Sequence, residues 1–194
     1  MFIVKQGERL MSTFNHIQEL LLESARVKGA TAEQCSQMAH IIAVDVADCL
    51  QQGRKIMFCG NGGSAADCQH LSAEFVATLN HHNPRPGYAA LALTTDTSFI
   101  TAYSNDFGFD DIYARQVETL GQAGDILFAI STSGNSKNIC RAAIQAKKQG
   151  IAVVGMTGMN GGALREHATH LLAVPSDVTM HIQESHIVLG HAIT

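Results

Sequence analysis

The chain has 194 residues, of which 46% are hydrophobic and 15% are charged, and its formal net charge is −4. This length fits one compact domain with a substantial core, and the composition excludes a disordered chain. No stripe of lysine and arginine crosses the sequence and no apolar run approaches the ~20 residues of a membrane span, so we expect neither nucleic acid nor a membrane as partner.

The five cysteines are scattered along the chain and include no C-x-x-C pair. An odd number of dispersed cysteines is typical of free thiols in a reducing compartment. The apolar run at residues 1–4 is too short for a signal peptide. The sequence therefore predicts a soluble cytoplasmic protein.

Two helices are predicted at the N-terminus, over residues 8–28 and 31–52, because apolar positions recur there at helical spacing. Gly29 is expected to end the first helix, and Thr31 begins a capping box that would open the second. Apolar positions cover much of the second helix, so the pair needs a packing partner. It packs either on its own domain alone or in a subunit interface, and the pattern favours the interface.

From residue 54 onward, short apolar runs alternate with helical patterns, which is typical of a parallel sheet covered on both faces. The predicted strands are Lys55–Cys59, Ala89–Leu93, Asp125–Ile130, Ile151–Met156 and Leu171–Val174. The predicted helices are Ala65–Leu79, Phe99–Tyr103, Asp111–Leu120, Lys137–Gln149, Gly162–His167 and one from Thr179 to the end. We therefore expect a single α/β domain over 1–194, with a five-stranded, doubly wound parallel sheet in 54–194 and the helix pair in 8–53.

Three polar loops follow strands at the carboxyl edge of this sheet, where doubly wound folds bind their ligands. Gly60–Ser64 is rich in glycine and precedes a helix, so its backbone N–H groups can receive a phosphate. Ser131–Ser136 offers four hydroxyl groups in six residues, although by itself it is equally compatible with an ordinary turn and an N-cap at Ser136. The third loop is Thr94–Ser98. Two cradle-like loops at one edge favour a phosphorylated ligand.

Other classes of phosphate-binding and hydrolytic sites fit the sequence poorly. Gly60, Gly62 and Ala65 formally match the dinucleotide fingerprint G-x-G-x-x-G/A. That fingerprint expects an acidic residue about 20 positions further on, whereas the nearest candidate, Asp96, lies much later. The absence of G-x-x-x-x-G-K-[ST] and of G-x-S-x-G argues against a P-loop and against a hydrolase nucleophile elbow.

His70 and Glu74 lie four residues apart on a predicted helix and therefore share one face. Such a pair is often an ordinary surface contact. The last helix adds Gln183 and His191, which also share a face. Two histidines, a glutamate and a glutamine suit a divalent ion such as zinc, so the spacing leaves both a metal site and a surface pair open.

Eight stretches taken together resemble the phosphoheptose isomerase family, within the sugar-isomerase (SIS) superfamily. They are GNGGSAADCQHLSAE (60–74), RPGY (85–88), LTTDTS (93–98), NDFGF (105–109), STSGNS (131–136), GMNGG (158–162), VPSDVT (174–179) and IQESHIVLGH (182–191). The resemblance covers nearly the whole chain from about residue 50. It implies a flavodoxin-like SIS domain and a ketose–aldose isomerase that converts sedoheptulose 7-phosphate to D-glycero-D-manno-heptose 7-phosphate, the first step toward the heptose of bacterial lipopolysaccharide.

The resemblance also implies the functional residues. One zinc ion per subunit would be bound by His70, Glu74, Gln183 and His191. The implied substrate contacts are Asn61, Gly62, Gly63, Asn105, Asp106, Ser131, Thr132, Ser133, Ser136 and Gln183, together with Ser64 from the first loop and Glu74. Glu74 is the candidate that shuttles a proton between two carbons through an enediol(ate), and His191 is the candidate acid. Whether Glu74 is ligand and base at once stays open.

Members of the family are cytoplasmic tetramers whose early helices form the tetramer core, with active sites at subunit contacts, so a homotetramer is implied here. Thr78 departs from the family pattern, which commonly has an arginine at that position. Any substrate contact of that arginine is absent here or supplied by Arg85. The sequence ends at Thr194, where the family's last helix usually continues, so we expect His191 to be held less firmly.

A different class of function is the alternative to an enzyme. A non-catalytic SIS scaffold that binds a protein partner or senses a phosphosugar would resemble the isomerases in its loops without needing an acid/base pair. The presence of Glu74 and His191 together with His70 and Gln183 favours the enzyme. A scaffold should purify without stoichiometric zinc, and a third possibility is an SIS enzyme acting on another phosphosugar.

Overall fold

The computed structural model describes the backbone of residues 2–80, 82 and 84–194, and the side chains of 13–80, 82 and 84–194. In chain order the elements are α1 (Phe2–Gln51), β1 (Ile56–Gly60), α2 (Gly63–Val76), β2 (Ala90–Ala92), α3 (Thr97–Phe107), α4 (Ile112–Leu120), β3 (Ile126–Ile130), α5 (Lys137–Lys148), β4 (Ala152–Gly158), β5 (His170–Val174) and α6 (Thr179–Ile193). Short 3-10 helices lie at Phe109–Asp111 and Ala163–Glu166. The predicted strands are confirmed, with ends shifted by one or two residues.

The five strands form one parallel sheet in the order β2-β1-β3-β4-β5, which confirms the doubly wound prediction. Phe58 on β1 pairs in register with Ala92 on one side and with Phe128 on the other. The chain therefore leaves β1 toward one edge of the sheet and returns on its other side as β3. Loops that leave β1 and β3 diverge at this switch point, which opens the crevice where such folds bind ligands.

Alternate residues of each strand enter two separate hydrophobic layers. Phe58 points into the layer formed with α1, α2 and α6, where its ring stacks on Phe128 with centroids 5.0 Å apart. Met57 points into the layer formed with α3, α4 and α5. Because both faces are covered, the strands are apolar throughout rather than alternating.

The predicted break between two N-terminal helices is wrong, because α1 is one continuous helix through Gly29. Gly29 does not adopt the positive φ of a helix-ending glycine. The Thr31 hydroxyl donates to the Val27 carbonyl at 2.8 Å, one turn back inside the helix, so it does not cap a new one. The packing of Val27 and Ile42, both fully buried, holds the helix on the domain across this point.

The two halves of α1 have different surroundings. From Val27 onward its apolar face packs on β5 and α6. Before that point Phe14, Ile17 and Leu21 are 60%, 53% and 67% exposed. No helix within the described residues combines the length and the apolar character that crossing a bilayer requires.

Candidate active site

The turn from β1 into α2 depends on glycine. Gly62 has a φ of 58°, in the left-handed region, and a Cβ added to Gly60 would lie 2.7 Å from the carbonyl oxygen of Ser64. Gly62 is also the N-cap of α2, and it has no side chain to accept hydrogen bonds from the first N–H groups of that helix. These groups are therefore available to an anionic ligand.

The loop after β3 brings three serine hydroxyl groups together, and we call Ser131, Ser133 and Ser136 the hydroxyl cluster. Ser131 Oγ donates to Ser136 Oγ at 3.1 Å and lies 3.5 Å from Ser133 Oγ. Ser136 stands at the N-cap of α5 but makes no capping hydrogen bond, so its side chain serves the cluster rather than the helix. The lack of a capping hydrogen bond from Ser136 favours a ligand cradle over the ordinary capped turn.

The second cradle is held in place by the loop after β4. Gly134 has a φ of 66°, and a Cβ there would lie 2.1 Å from the carbonyl oxygen of Gly161. Leu164 N donates to Gly134 O at 2.9 Å, and Ala163 N donates to Asn135 Oδ1 at 2.9 Å. The backbone of Gly161 and the 3-10 helix that follows it therefore support the shape of the hydroxyl-bearing loop.

The two loops are joined by a reciprocal pair of amides. Asn61 Nδ2 donates to Asn138 Oδ1 and Asn138 Nδ2 donates to Asn61 Oδ1, both at 2.9 Å. The Tyr113 hydroxyl donates to Gly60 O at 2.6 Å and holds the turn from the other face of the sheet. Sequence reasoning missed Asn138 and Tyr113. Their residue types carry no motif, and only the folded sheet brings them to the loop.

Between the loops and α6 lies a cavity of about 490 Å³. That volume suits a small organic ligand. The residues that line it are Asn61, Gly63, Ser64, Thr132, Val178, Thr179, Met180 and Gln183. A smaller cavity of about 170 Å³ adjoins it, sharing Thr132 and Thr179 and reaching Ser133 and Asp177. The structure thus brings residues of both predicted phosphate loops and Gln183 to one space.

The side chains of His70, Glu74 and His191 meet where α2 passes α6, and we call them the His–Glu–His cluster. Glu74 Oε1 lies 2.9 Å from His70 Nε2 and 3.4 Å from His191 Nε2. The two imidazole Nε2 atoms are 3.2 Å apart. One ligand atom from each residue thus falls within 4.8 Å of the others, which is the arrangement that a shared metal ion requires.

The chemistry of this cluster fits zinc. Each imidazole Nε2 offers a lone pair in one of its tautomers, and Glu74 adds a carboxylate whose buried Oε2 has no hydrogen-bond partner among the described residues. A divalent cation between the two Nε2 atoms and the carboxylate would use these lone pairs. Two histidines and one glutamate are a donor set that zinc uses in proteins.

Gln183, the fourth predicted ligand, is anchored by Asp67. Gln183 Nε2 donates to Asp67 Oδ1 at 2.8 Å and to Asp67 Oδ2 at 2.6 Å. Burial raises the pKa of the Asp67 carboxyl, and the bond from Gln183 and the charges of His70 and His191 oppose that rise. Sequence reasoning missed Asp67, although positions 67, 70 and 74 share one face of a helix.

Asn105 and Asp106, predicted as substrate contacts, are not brought to the cavity of their own chain. They lie exposed at the end of α3, where Asn105 Nδ2 donates to Asp106 Oδ1 at 2.8 Å. Arg85 is occupied at the end of α2, where it donates to Glu74 O at 3.0 Å and to Phe75 O at 2.9 Å. Of the two alternatives for the missing arginine, this favours absence of its contact.

The fold and the paired loops place the chain in one class of protein. Residues 19–158 match the family model of the SIS domain. This match spans the sheet from β1 to β4 and includes both cradles, so the protein is an SIS-domain protein.

Relatives define the particular family. The phosphoheptose isomerase of Akkermansia muciniphila is 46% identical over 173 residues, which are 89% of this chain and 88% of that protein. The enzyme of the same name from Sulfurimonas denitrificans is 54% identical over 140 residues, 72% of this chain and 71% of that protein. The solved phosphoheptose isomerase of Neisseria gonorrhoeae has a TM-score of 0.87 at 40% identity, covering 93% of this chain and 96% of that chain. The chain belongs to the phosphoheptose isomerase family.

Proposed function

We propose that the protein isomerises sedoheptulose 7-phosphate to D-glycero-D-manno-heptose 7-phosphate. The observation that carries this proposal is the position of the His–Glu–His cluster on α2 and α6 close to the cavity that the two loops line. Gln183 links the two, because it lines the cavity and is bound to Asp67 on the same helix face as His70 and Glu74. An acid/base pair next to a phosphate cradle is what a phosphosugar isomerase needs.

The phosphate group is proposed to bind between the two loops. Backbone N–H groups of the Gly62–Ser64 turn and the dipole of α2 attract its negative charge. The hydroxyl cluster and Thr132 donate to its oxygens, and Asn61 and Ser64 complete the wall of the cavity. Hydroxyl and N–H donors can hold a phosphate without a lysine or arginine side chain in the lining.

The carbonyl moves from C2 to C1 by proton transfers that balance. Glu74 takes a proton from C1 of the ketose and delivers it to C2, which gives the aldose, while His191 donates a proton to the C2 oxygen and recovers one from the C1 oxygen. Glu74 Oε1 faces the imidazoles, and Oε2 has no hydrogen bond to any residue that the structure describes. The carboxylate therefore has one oxygen for a cation and one for the proton.

We propose that zinc is held by His70, Glu74, Gln183 and His191. Bound there, it would stabilise the negative charge that develops on the substrate oxygens as the enediolate forms. The donor set and the convergence of one ligand atom from each of His70, Glu74 and His191 within 4.8 Å support this assignment.

We further propose a cytoplasmic homotetramer acting at the first step toward lipopolysaccharide heptose. Phe14, Ile17 and Leu21 are exposed at helical spacing on α1, and an exposed apolar stripe of this kind supports use as a subunit contact. Asn105 and Asp106 lie outside the cavity of their own chain, which supports a site that a neighbouring subunit completes. Sedimentation equilibrium tests the assembly, and a monomeric protein would refute it.

Conversion of sedoheptulose 7-phosphate in D₂O, followed by NMR, tests the reaction. Wild type should form the aldose, with deuterium on C2 in those turnovers in which the proton on Glu74 exchanges with solvent, and Glu74→Gln and His191→Ala should each lower turnover by at least ~100-fold, as expected for loss of an acid/base group. Glu118→Gln is the matched control, because the Glu118 carboxylate pairs with Arg115 on the exposed side of α4, away from the cluster. Full turnover by Glu74→Gln would refute the assigned base. Wild type without turnover or zinc would favour the scaffold.

A further inference from the structure

The carboxylate of Asp67 lies against the amide of Gln183 and decides how that amide is turned. Both Asp67 oxygens accept from Gln183 Nε2, at 2.8 and 2.6 Å. Asp67 is only 7% exposed, so water does not compete freely for these bonds. The contact joins α2 to α6 across 116 positions of the sequence.

An ionised carboxylate has acceptors only, whereas a glutamine amide has a donor nitrogen and an acceptor oxygen. Turning the Gln183 oxygen toward Asp67 would bring acceptors together, so only one orientation of the amide is compatible with this partner. The two branches of a planar amide point apart, so Gln183 Oε1 is directed away from Asp67. Within the described part of the chain, no hydrogen bond uses Gln183 Oε1.

We propose that Asp67 is a positioning residue that presents Gln183 Oε1 as a ligand for a divalent cation at the His–Glu–His cluster. This role rests on the zinc site proposed above. Carboxylates that orient metal ligands commonly act in this way on histidine, and here the oriented group is an amide. Asp67 lies three and seven positions before His70 and Glu74, so α2 carries the two cluster residues and this anchor on one face.

A purely structural tether between α2 and α6 is the competing explanation for the contact. These helices already pack through Leu71 and Gly190, where a Cβ on Gly190 would lie 2.5 Å from Leu71. A tether would affect the stability of the fold and leave metal affinity unchanged. A positioning role affects metal affinity and depends on which atom residue 183 presents.

The experiment is a double-mutant cycle on zinc affinity, measured by competition with a chromogenic chelator. Asp67→Asn should weaken zinc binding at least ~10-fold, because it removes one acceptor, the negative charge and the preference for one amide orientation. Gln183→Glu should not tighten binding beside Asp67, since two carboxylates would face each other. On the Asp67→Asn background the same change should restore binding, because the amide introduced at position 67 can donate to one carboxylate oxygen and leave the other for the metal.

Asp125→Asn is the matched control, since Asp125 is also a buried carboxylate but lies at the opposite end of the sheet, paired with Lys55. It should leave zinc affinity unchanged. The proposal is overturned if the Asp67→Asn variant binds zinc like wild type. It is also overturned if Gln183→Glu changes zinc affinity equally on both backgrounds, because Asp67 would then act through its charge alone and not by orienting residue 183. Wild type that binds zinc without isomerising sedoheptulose 7-phosphate would refute the proposed reaction and leave the cycle interpretable. Wild type without zinc affinity would refute both.

Discussion

The contact between Gly190 and Leu71 sets how closely α2 and α6 approach, and therefore where His191 meets His70. A Cβ at position 190 would lie 2.5 and 2.6 Å from the two Leu71 methyl carbons. Carbon atoms in contact are about 3.5–4.0 Å apart. Leu71 is 1% exposed, so its methyl groups cannot turn into solvent. Gly190→Ala should therefore push α6 from α2 by about 1 Å.

The expected effect is larger on metal binding than on stability. Overpacking costs about 1–3 kcal/mol, and replacing glycine by alanine in a helix returns up to about 1 kcal/mol. The free energy of unfolding should thus fall by about 0–3 kcal/mol. Metal–ligand distances tolerate only about 0.2 Å, so a displacement of His191 relative to Glu74 should weaken zinc binding at least ~10-fold.

Zinc competition and urea unfolding measure the two effects separately. Leu71→Ala makes room for the new methyl group, so the Gly190→Ala, Leu71→Ala double variant should bind zinc more tightly than Gly190→Ala alone. Gly29→Ala on α1 is the control, because a Cβ there meets nothing within 4 Å. Unchanged zinc affinity in Gly190→Ala, or no recovery in the double variant, would refute the packing argument.

Three further predictions concern pH, the end of α2 and the joined loops. Burial lowers the pKa of His186 to about 4 from its ordinary 6.5, so between these values the unfolded chain binds a proton that the folded chain does not. Stability should fall by up to about 3 kcal/mol as pH drops from 6.5 to 4, and His186→Gln should remove this component in urea unfolding. Lysine lacks the two-pronged guanidinium group with which Arg85 binds the carbonyls of Glu74 and Phe75. Exchange of the backbone amide hydrogens in the last turn of α2 should therefore speed up about tenfold in Arg85→Lys. Asn138→Ala removes both bonds to Asn61 and should weaken phosphosugar binding about 5–30-fold in calorimetry.

Each of these predictions has a matched control at an exposed position. His16→Gln should keep the acid slope of wild type, and an identical slope in His186→Gln would contradict the buried-histidine explanation. Arg115→Lys should leave exchange in α2 unchanged, since Arg115 lies on α4. Asn15→Ala should leave phosphosugar affinity unchanged, and equal affinity in Asn138→Ala would show that the Asn61 turn needs no partner.

Strands and loops of this chain were predictable because their signals are local. Apolar runs such as 126–130 are buried on both faces of the sheet, and the alternation with helices identifies them as parallel strands. The glycines of the first cradle have a local cause as well, since Gly62 needs a positive φ. The shared faces of His70 with Glu74, and of Gln183 with His191, follow from helical spacing alone.

The contacts that complete the site were not predictable from one sequence. Asp67 meets Gln183, and Asn61 meets Asn138, only after α2, α5 and α6 have packed on the sheet. No residue type at these positions identifies its partner in advance. In the sequence Gly190 is an ordinary glycine within a helix. Only the packing of Leu71 from α2 against it shows that no larger residue fits there.

The error at α1 has a physical cause that also bears on the assembly. A glycine inside a helix costs only about 1 kcal/mol, whereas burying an aliphatic side chain such as Val27 or Ile42 contributes about 1.5–3 kcal/mol. Tertiary packing therefore overrides the local stop signal at Gly29. Because the helix does not break, the exposed Phe14 and Leu21 lie on the same continuous helix whose later residues pack on α6. Any subunit that docks on this stripe is thereby placed in a fixed relation to the helix that bears Gln183 and His191.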